Sequence, residues 1–308
     1  MPKFQTISET AEYQRLDNFL IKTLKGVPKS HIHRIIRKGE VRVNKGRKKS
    51  DYKLQIGDIV RIPPVRISEK IEQKVSSKLI GILENSLLYE DKGLMIFNKP
   101  SGLAVHGGSG INLGLIETLR QIYGNHLELV HRLDRETSGC ILIAKKRSVL
   151  KNIQQQLSEN KLKKIYLALV QNSWAKKTHT TNLPLLKNTI KSGERIVIVD
   201  NNGKEAISHF RPIENFTKAN FSASLVEVKI DTGRTHQIRV HAQEVGHPIA
   251  NDTKYGNKTF NQQLQRLGLK RLFLHAKQLE FFNPTLDKKQ NIQAPLPVEL
   301  KKILSLLK

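Results

Sequence analysis

The stretch His131-Arg132-Leu133-Asp134-Arg135-Glu136-Thr137-Ser138-Gly139 runs straight into CILIAKK at 140–146. It reads as a charged loop feeding a strand. The apolar run CILIA reads as a buried strand. Working outward, further short apolar runs follow one another: LLYED, LMIFNK, LELV, KIYLALV, RIVIV, SHFRPI, SASLVEVKI and RLFLHA. They are rich in Ile, Val, Leu, Tyr and Phe, and several alternate. Helical patterning interrupts them at about 112–124 and 147–160. A third helix is expected over 236–245, capped by Thr235 and ended by Gly246 and Pro248. This is not a regular β-α alternation. It predicts an α+β fold with a mostly antiparallel mixed sheet flanked by helices.

Upstream the pattern differs. Residues 15–24 place Leu16, Phe19, Leu20 and Leu24 on one helical face. Gly26 and Pro28 break the chain, and Ser30 is placed to cap a second short helix, HIHRIIRKG, ending at Gly39. Two strands follow, VRVN and a second near 58–62, with a turn at Lys45-Gly46. Residues 64–84 have weak periodicity and read as a connecting segment with a short helix toward its end. The chain of 308 residues is therefore divided into a small helix-helix-hairpin domain (1–75), a linker (76–85) and a large domain (86–308).

Charge points to a polyanionic partner. The chain has 53 Lys and Arg against 27 Asp and Glu, a net of +26. Residues 1–70 hold 17 basic and 7 acidic residues, +10, while the remaining 238 carry +16. Neutralising phosphates releases counterions, so a basic folded surface favours nucleic acid. No basic amphipathic helix of the membrane-surface type and no apolar run of spanning length is present, so no membrane partner is expected. The single cysteine, Cys140, precludes an intrachain disulfide and fits a reducing, cytoplasmic compartment. Its place in an apolar strand marks it as a buried structural thiol. Nothing signals an oligomer; a monomer is the default.

Chemistry concentrates in two loops. Asp134 lies between Arg132 and Arg135; an acid among cations stays ionised, which suits a nucleophile or base better than an acid. Taken alone, such an Asp is more often a structural ion pair. The second loop, DTGRTHQIRVH at 231–241, follows SASLVEVKI and presents Arg234 just before a helix, where it could reach a carboxylate from another loop. His236, His241 and His247 invite a metal reading. However, His236 and His241 are five apart, not the three or four that face one ion, and no metal is expected. Gly107-Gly108-Ser109-Gly110 lacks the GK[ST] ending of a phosphate loop and reads as a turn.

HRLDRETSG, with KPSG (99–102) upstream and GRTHQIR (233–239) downstream, resembles the pseudouridine synthases of the ribosomal large-subunit type. KIYLALV and RLFLHA match further blocks of that family. VPKSHIHRIIRKGEVRVNKGR resembles the S4 RNA-binding domain, whose short helix and following loop would place Arg34, Arg37, Lys38, Arg42, Lys45 and Arg47 against phosphates. The resemblance implies roles. Asp134 would be the catalytic aspartate, Tyr166 the tyrosine stacked on the target base, and Arg234 the arginine paired with the aspartate. Arg132 would fill the gap left by the displaced nucleotide, and Leu274 would form an apolar wall. It implies isomerisation of uridines in large-subunit (23S) ribosomal RNA or its assembly precursors, with no cofactor. Two positions depart from the family pattern: Asn251, where Gly is more frequent, and Asn283, where His is common. The same chemistry on transfer RNA, a non-enzymatic assembly factor and an N-glycoside hydrolase are the competing readings.

Overall fold

The computed structural model describes residues 2–8, 11–24, 26–65, 75–107, 113–189, 195–218 and 220–308. The chain separates into two compact units, 1–74 and 75–308. The Gly108-Ser109-Gly110 turn lies outside the described residues, as does 66–74 of the connecting segment.

In the first unit, β1 (Lys3–Thr6), α1 (Leu16–Thr23), α2 (Lys29–Arg37), β2 (Arg42–Val43) and β3 (Ile59–Ile62) form two helices on a three-stranded antiparallel sheet, ordered β1-β3-β2. The core is the predicted helical face: Leu16, Phe19 and Leu20 meet Ile32, Ile35 and Ile36 over Val43 and Val60. Asn44 and Lys45 take positive φ of 51° and 65°, the geometry of a tight hairpin turn. Ser30 does not cap α2. The helix starts two residues earlier, at Lys29 after Pro28, and no side chain caps it. β1 was not expected, because its four residues are all exposed and leave no apolar alternation to read.

The second unit is built on one ten-stranded sheet. Its elements in order are α3 (Ser77–Glu84), β4 (Leu87–Glu90), β5 (Leu94–Lys99), α4 (Leu115–Tyr123), β6 (Glu128–Leu129), β7 (Ser138–Ala144), α5 (Arg147–Ser158) and β8 (Lys163–Gln171). Then come β9 (His179–Asn182), β10 (Leu185–Thr189), β11 (Arg195–Val199), β12 (Ile207–Lys218), β13 (Phe221–Ile230), α6 (Gln237–Glu244), α7 (Lys258–Arg266), β14 (Leu274–Asn283), β15 (Lys288–Gln293) and α8 (Val298–Leu307). The strand path is β4-β5-β7-β14-β8-β13-β12-β9, with β15 on β14 and β6 on β7; β10 and β11 form a separate pair. Among the described residues only β7 and β14 run parallel, so the sheet is the expected mixed, mostly antiparallel one.

Alternation on β5 and β7 sorts the core. Met95, Phe97, Ile141 and Ile143 face one side, under α3, α4 and α6. Leu94, Ile96, Cys140 and Leu142 face the other, under α5. Covering both faces is what makes CILIA read as a continuous apolar run. Cys140 is fully buried, and burial pushes its thiol up to about 12. Helix α3, capped by the Ser76 hydroxyl, inserts Leu83 into the core of the second unit. Residues 76–84 therefore belong to that unit and do not act as a linker. The two departures from the family pattern are also accounted for. Asn251 sits at φ 56°, a conformation Gly adopts freely and Asn tolerates. Asn283 is buried and donates to Asp91 Oδ2 at 2.6 Å.

Candidate active site

The 131–137 loop is braced by the KPSG segment at the end of β5. Lys99 is fully buried, and its ammonium donates to the carbonyls of Pro100, Leu103 and Arg135 at 2.9, 2.8 and 3.1 Å. Gly102 N–H donates to Arg135 O at 2.9 Å, and the Ser101 hydroxyl to Glu136 O at 2.7 Å. Burial lowers the Lys99 ammonium to about 7, with Arg271 adding repulsion and the charges of Glu136 and Asp134 opposing it. Gly139, at φ 109°, lets β7 leave this loop against β14: a Cβ there would strike the backbone of Ala276. Replacing Lys99 with Met strands these acceptors. The expected cost is on the order of 3 kcal/mol. Thermal denaturation would show this as a fall of roughly 6–12 °C in a domain of this size.

Asp134 emerges from this brace with its side chain 18% exposed. Its sequence neighbours do not hold it. Arg132 is exposed, and Arg135 turns to Gly102 O and Glu136. The cation nearest to it among the described ion pairs is Arg239, whose Nη1 lies 4.0 Å from Asp134 Oδ2. This corrects the expected pairing with Arg234. The Arg234 Nε donates instead to Glu205 O at 2.9 Å, and its side chain is exposed at the rim of the cleft. Arg239 is buried, and its position is locked by a bidentate bond to Asp252 at 2.6 and 2.7 Å. The Tyr255 ring lies 5.1 Å from its guanidinium carbon.

Helix α6 explains why one motif supplies so much of the site. Gln237, Ile238, Arg239, Val240, His241 and Ala242 are all buried. Gln237 Oε1 accepts from the Thr232 hydroxyl and from Arg234 N–H at 2.8 and 3.0 Å, and its amide donates to Ile207 O at 2.9 Å. That network moors the 231–235 loop to β12. Thr235 does not cap the helix; His236 occupies the cap position in a left-handed conformation, with no side-chain cap bond.

Tyr166 on β8 and Leu274 at the start of β14 form the apolar wall, 7% and 3% exposed. They line a cleft of about 60 Å³ together with Asp134, Arg132, Arg234 and Arg239. Burial, followed by the charge of Asp134, drives the Tyr166 phenol well above its ordinary value, so it stays protonated. The cleft opens beside a wider groove of about 610 Å³, where Arg132, Lys164 and Arg234 supply positive charge. Lys164 is buried, and desolvation lowers its ammonium to about 8. The predicted residues Asp134, Tyr166, Arg132, Arg234 and Leu274 thus meet in one place. Arg239, Gln237, Asp252 and Lys164 were not foreseen.

His131 and His241 are engaged away from the cleft. His131 Nε2 accepts from Leu142 N–H at 3.1 Å, and burial lowers its ring to about 4. His241 contacts the Ser208 hydroxyl and Leu183 O. Among the described residues, no group of three or more His, Cys, Asp or Glu is placed to hold a metal ion, and no helix is long and apolar enough to cross a membrane.

The chain is similar to known proteins along most of its length. Residues 93–244 match the RNA pseudouridylate synthase family, and residues 14–60 match the S4 domain. The chain is 53% identical to ribosomal large subunit pseudouridine synthase C of Pasteurella multocida, over 99% of this chain and 94% of that protein. It is 50% identical to the Escherichia coli protein of the same name, over 100% and 98%. Among solved structures, human RNA pseudouridylate synthase domain containing 4 superimposes with a TM-score of 0.60 at 26% identity, covering 75% of this chain and 95% of that one. The braced Asp134 loop and the GRTHQIR helix both fall within the matched span, and the chain belongs to the RNA pseudouridylate synthase family, with an S4 domain ahead of the synthase domain.

Proposed function

We propose that this chain converts uridine to pseudouridine in large-subunit ribosomal RNA, in the cytoplasm, with Asp134 as the catalytic carboxylate. The observation that carries the reading is the seating of Asp134. A partly exposed carboxylate faces an apolar wall of Tyr166 and Leu274 and is oriented by a buried arginine whose own place is fixed by Asp252. Full-length similarity to proteins named for the large ribosomal subunit supports the substrate.

The reaction breaks the bond from ribose C1′ to uracil N1, turns the base, and joins C1′ to C5. Atoms and electrons balance without an oxidant, because the C5 proton is lost as N1 gains one. The target base must first leave its stack. Tyr166 then offers a ring to stack on, and exposed Arg132 fills the vacated space. Arg239, 4.0 Å away, holds the Asp134 carboxylate in one orientation. Arg234, at the rim beside Arg132, is suited to a phosphate contact.

Carbodiimide modification followed by primer extension on unmodified large-subunit RNA tests the reading. Stops produced by wild type and absent with Asp134→Asn are expected. Absence of stops with a folded, RNA-binding wild type would overturn it and direct the same assay to transfer RNA.

The first unit supplies grip. Arg34, Arg37, Lys38, Lys45 and Arg47 are exposed, while Arg42 is half-buried and donates to Gly39 O at 2.7 Å. None of the six has an ion-pair partner among the described residues. Arg34→Gln combined with Arg37→Gln and Arg47→Gln is expected to weaken RNA binding. It should also flatten the log–log salt dependence by roughly 0.7–0.9 for each phosphate no longer neutralised. Filter binding across a salt series measures both.

A further inference from the structure

His236 has no part in the chemistry described so far, yet it stands in the cleft with Asp134, Tyr166 and Arg239. Its backbone is left-handed, φ 55°, a conformation that is strained for a non-glycine residue and is held here by the start of α6. Such strain is kept where a side chain must be aimed.

The bonds behind the ring determine which nitrogen carries the proton. Val197 N–H donates to the Tyr255 hydroxyl oxygen at 2.8 Å, and that hydroxyl lies 2.8 Å from His236 Nδ1. Tyr255 is buried, and no other acceptor for its phenolic proton is found among the described residues. A buried hydroxyl proton without an acceptor is costly, so Tyr255 donates to Nδ1. The neutral imidazole then carries its own proton on Nε2, on the edge away from Tyr255. The charged groups around the ring are Arg239 and Lys254 on one side of the balance and Asp134 and Asp252 on the other. With burial as the largest effect, the net direction is downward, and the ring is neutral at neutral pH.

We infer that His236 is a substrate-contacting residue whose Nε2–H donates a hydrogen bond to a carbonyl oxygen of the uracil seated against Tyr166. The inference rests on the isomerase reading above. Uracil chemistry gives this donor a particular use. Turning the base about its N3–C6 axis exchanges N1 with C5 and also exchanges the C2 and C4 carbonyls. A donor fixed in the protein therefore meets a carbonyl oxygen both before and after the turn. It can hold the base in the cleft while the glycosidic bond is absent, and a neutral donor does so without protonating the base.

The test combines single-turnover rates, RNA affinity and 15N spectroscopy of the imidazole. In the free wild-type protein, the spectrum should show His236 protonated on Nε2 and bare at Nδ1. His236→Leu is expected to slow the single-turnover rate roughly 10–100-fold, a smaller effect than loss of an oxyanion donor. Its RNA Kd should stay within about twofold, since one hydrogen bond is a small part of so charged an interface. His236→Gln, which restores an N–H of similar reach, should recover most of that loss. Tyr255→Phe should release the tautomer and give an intermediate rate. A Leu variant within about twofold of wild type, or a spectrum showing Nδ1 protonated, overturns the contact. A Gln variant that folds normally but is as slow as the Leu variant also counts against it. Wild type inactive on ribosomal and transfer RNA alike would sink the isomerase reading and the contact with it, whereas an active wild type with an unaffected Leu variant sinks the contact alone.

Discussion

Asp134→Asn binds unmodified large-subunit RNA at least as tightly as wild type and forms no measurable pseudouridine; that paired outcome is expected. The fall in rate should be on the order of 10⁴-fold or more, the scale seen when one member of a catalytic set is lost. The substitution is nearly isosteric, and the contacts that shape the loop do not use the carboxylate. Thr137 N–H donates to the Asp134 backbone carbonyl, Leu133 anchors in the core, and Lys99 with Ser101 holds the carbonyls of Arg135 and Glu136. Stability should therefore change by less than about 1 kcal/mol, as for a surface substitution. Removing a negative charge from a cleft bordered by Arg132, Arg234 and Lys164 can only favour a polyanion. Affinity and rate thus move in opposite directions, which a misfolded variant cannot imitate. Binding isotherms and single-turnover assays on the same preparation measure both. A variant that retains activity within tenfold would show that another group performs the chemistry.

The sequence disclosed the parts of this site whose signal is local. CILIA announced a buried strand, which the structure covers on both faces, and a charged loop running into it announced a place where chemistry could sit. The helix at 237–244 was legible from Ile238 and Ala242 to within a residue at each end. Tyr166 and Leu274 were legible through resemblance rather than pattern, since an aromatic or a leucine in a strand is ordinarily core. What was not legible depended on distance. Arg239 looks like a solvent-facing residue under any amphipathic reading, because such readings assign charge to the outside. Only the fold brings Asp252, 13 positions on, to a bidentate bond with it. The pairing of the aspartate with Arg234 came from the family resemblance, supported by that arginine's place just before a helix, and neither pointed to an arginine inside the helix. The edge and partly polar elements β9, β10 and β15, together with α7, carry too few apolar residues to announce themselves. The connecting segment was misjudged at its end because Leu83 and its partly buried neighbour Leu79 are too short a pattern to separate a docked helix from a linker.

Arg239→Gln is the substitution expected to damage both stability and rate, and pairing it with Asp252→Asn separates the two. In wild type the carboxylate and guanidinium are 0% and 6% exposed, joined at 2.6 Å. Removing one partner leaves a buried charge uncompensated, a cost of about 3–5 kcal/mol. Thermal denaturation should fall by roughly 6–20 °C for a domain of this size. Burial alone would raise the Asp252 carboxyl. The Arg239 hydrogen bonds and charge outweigh that and hold it below its ordinary value. Its contribution is therefore present above the unfolded value, near 4, and is lost as pH falls through the lower folded one. In the single variant the balance inverts. Desolvation loses its main counterweight, leaving only the Lys254 and Tyr255 N–H bonds, so the carboxyl rises and protonation relieves the strain of burial. The stability gap between variant and wild type should accordingly narrow as pH is lowered from 7 toward 5. Arg239→Gln with Asp252→Asn replaces two charges by a neutral hydrogen-bonded pair and keeps an acceptor for the Lys254 and Tyr255 N–H groups. It is expected to regain most of the lost stability. The rate should remain depressed by about 10²–10³-fold, the scale of losing one preorganised charge at a reacting group. The double variant still lacks the cation 4.0 Å from Asp134. Recovery of activity together with stability would reduce Arg239 to a structural strut and leave Asp134 to be oriented by the RNA itself.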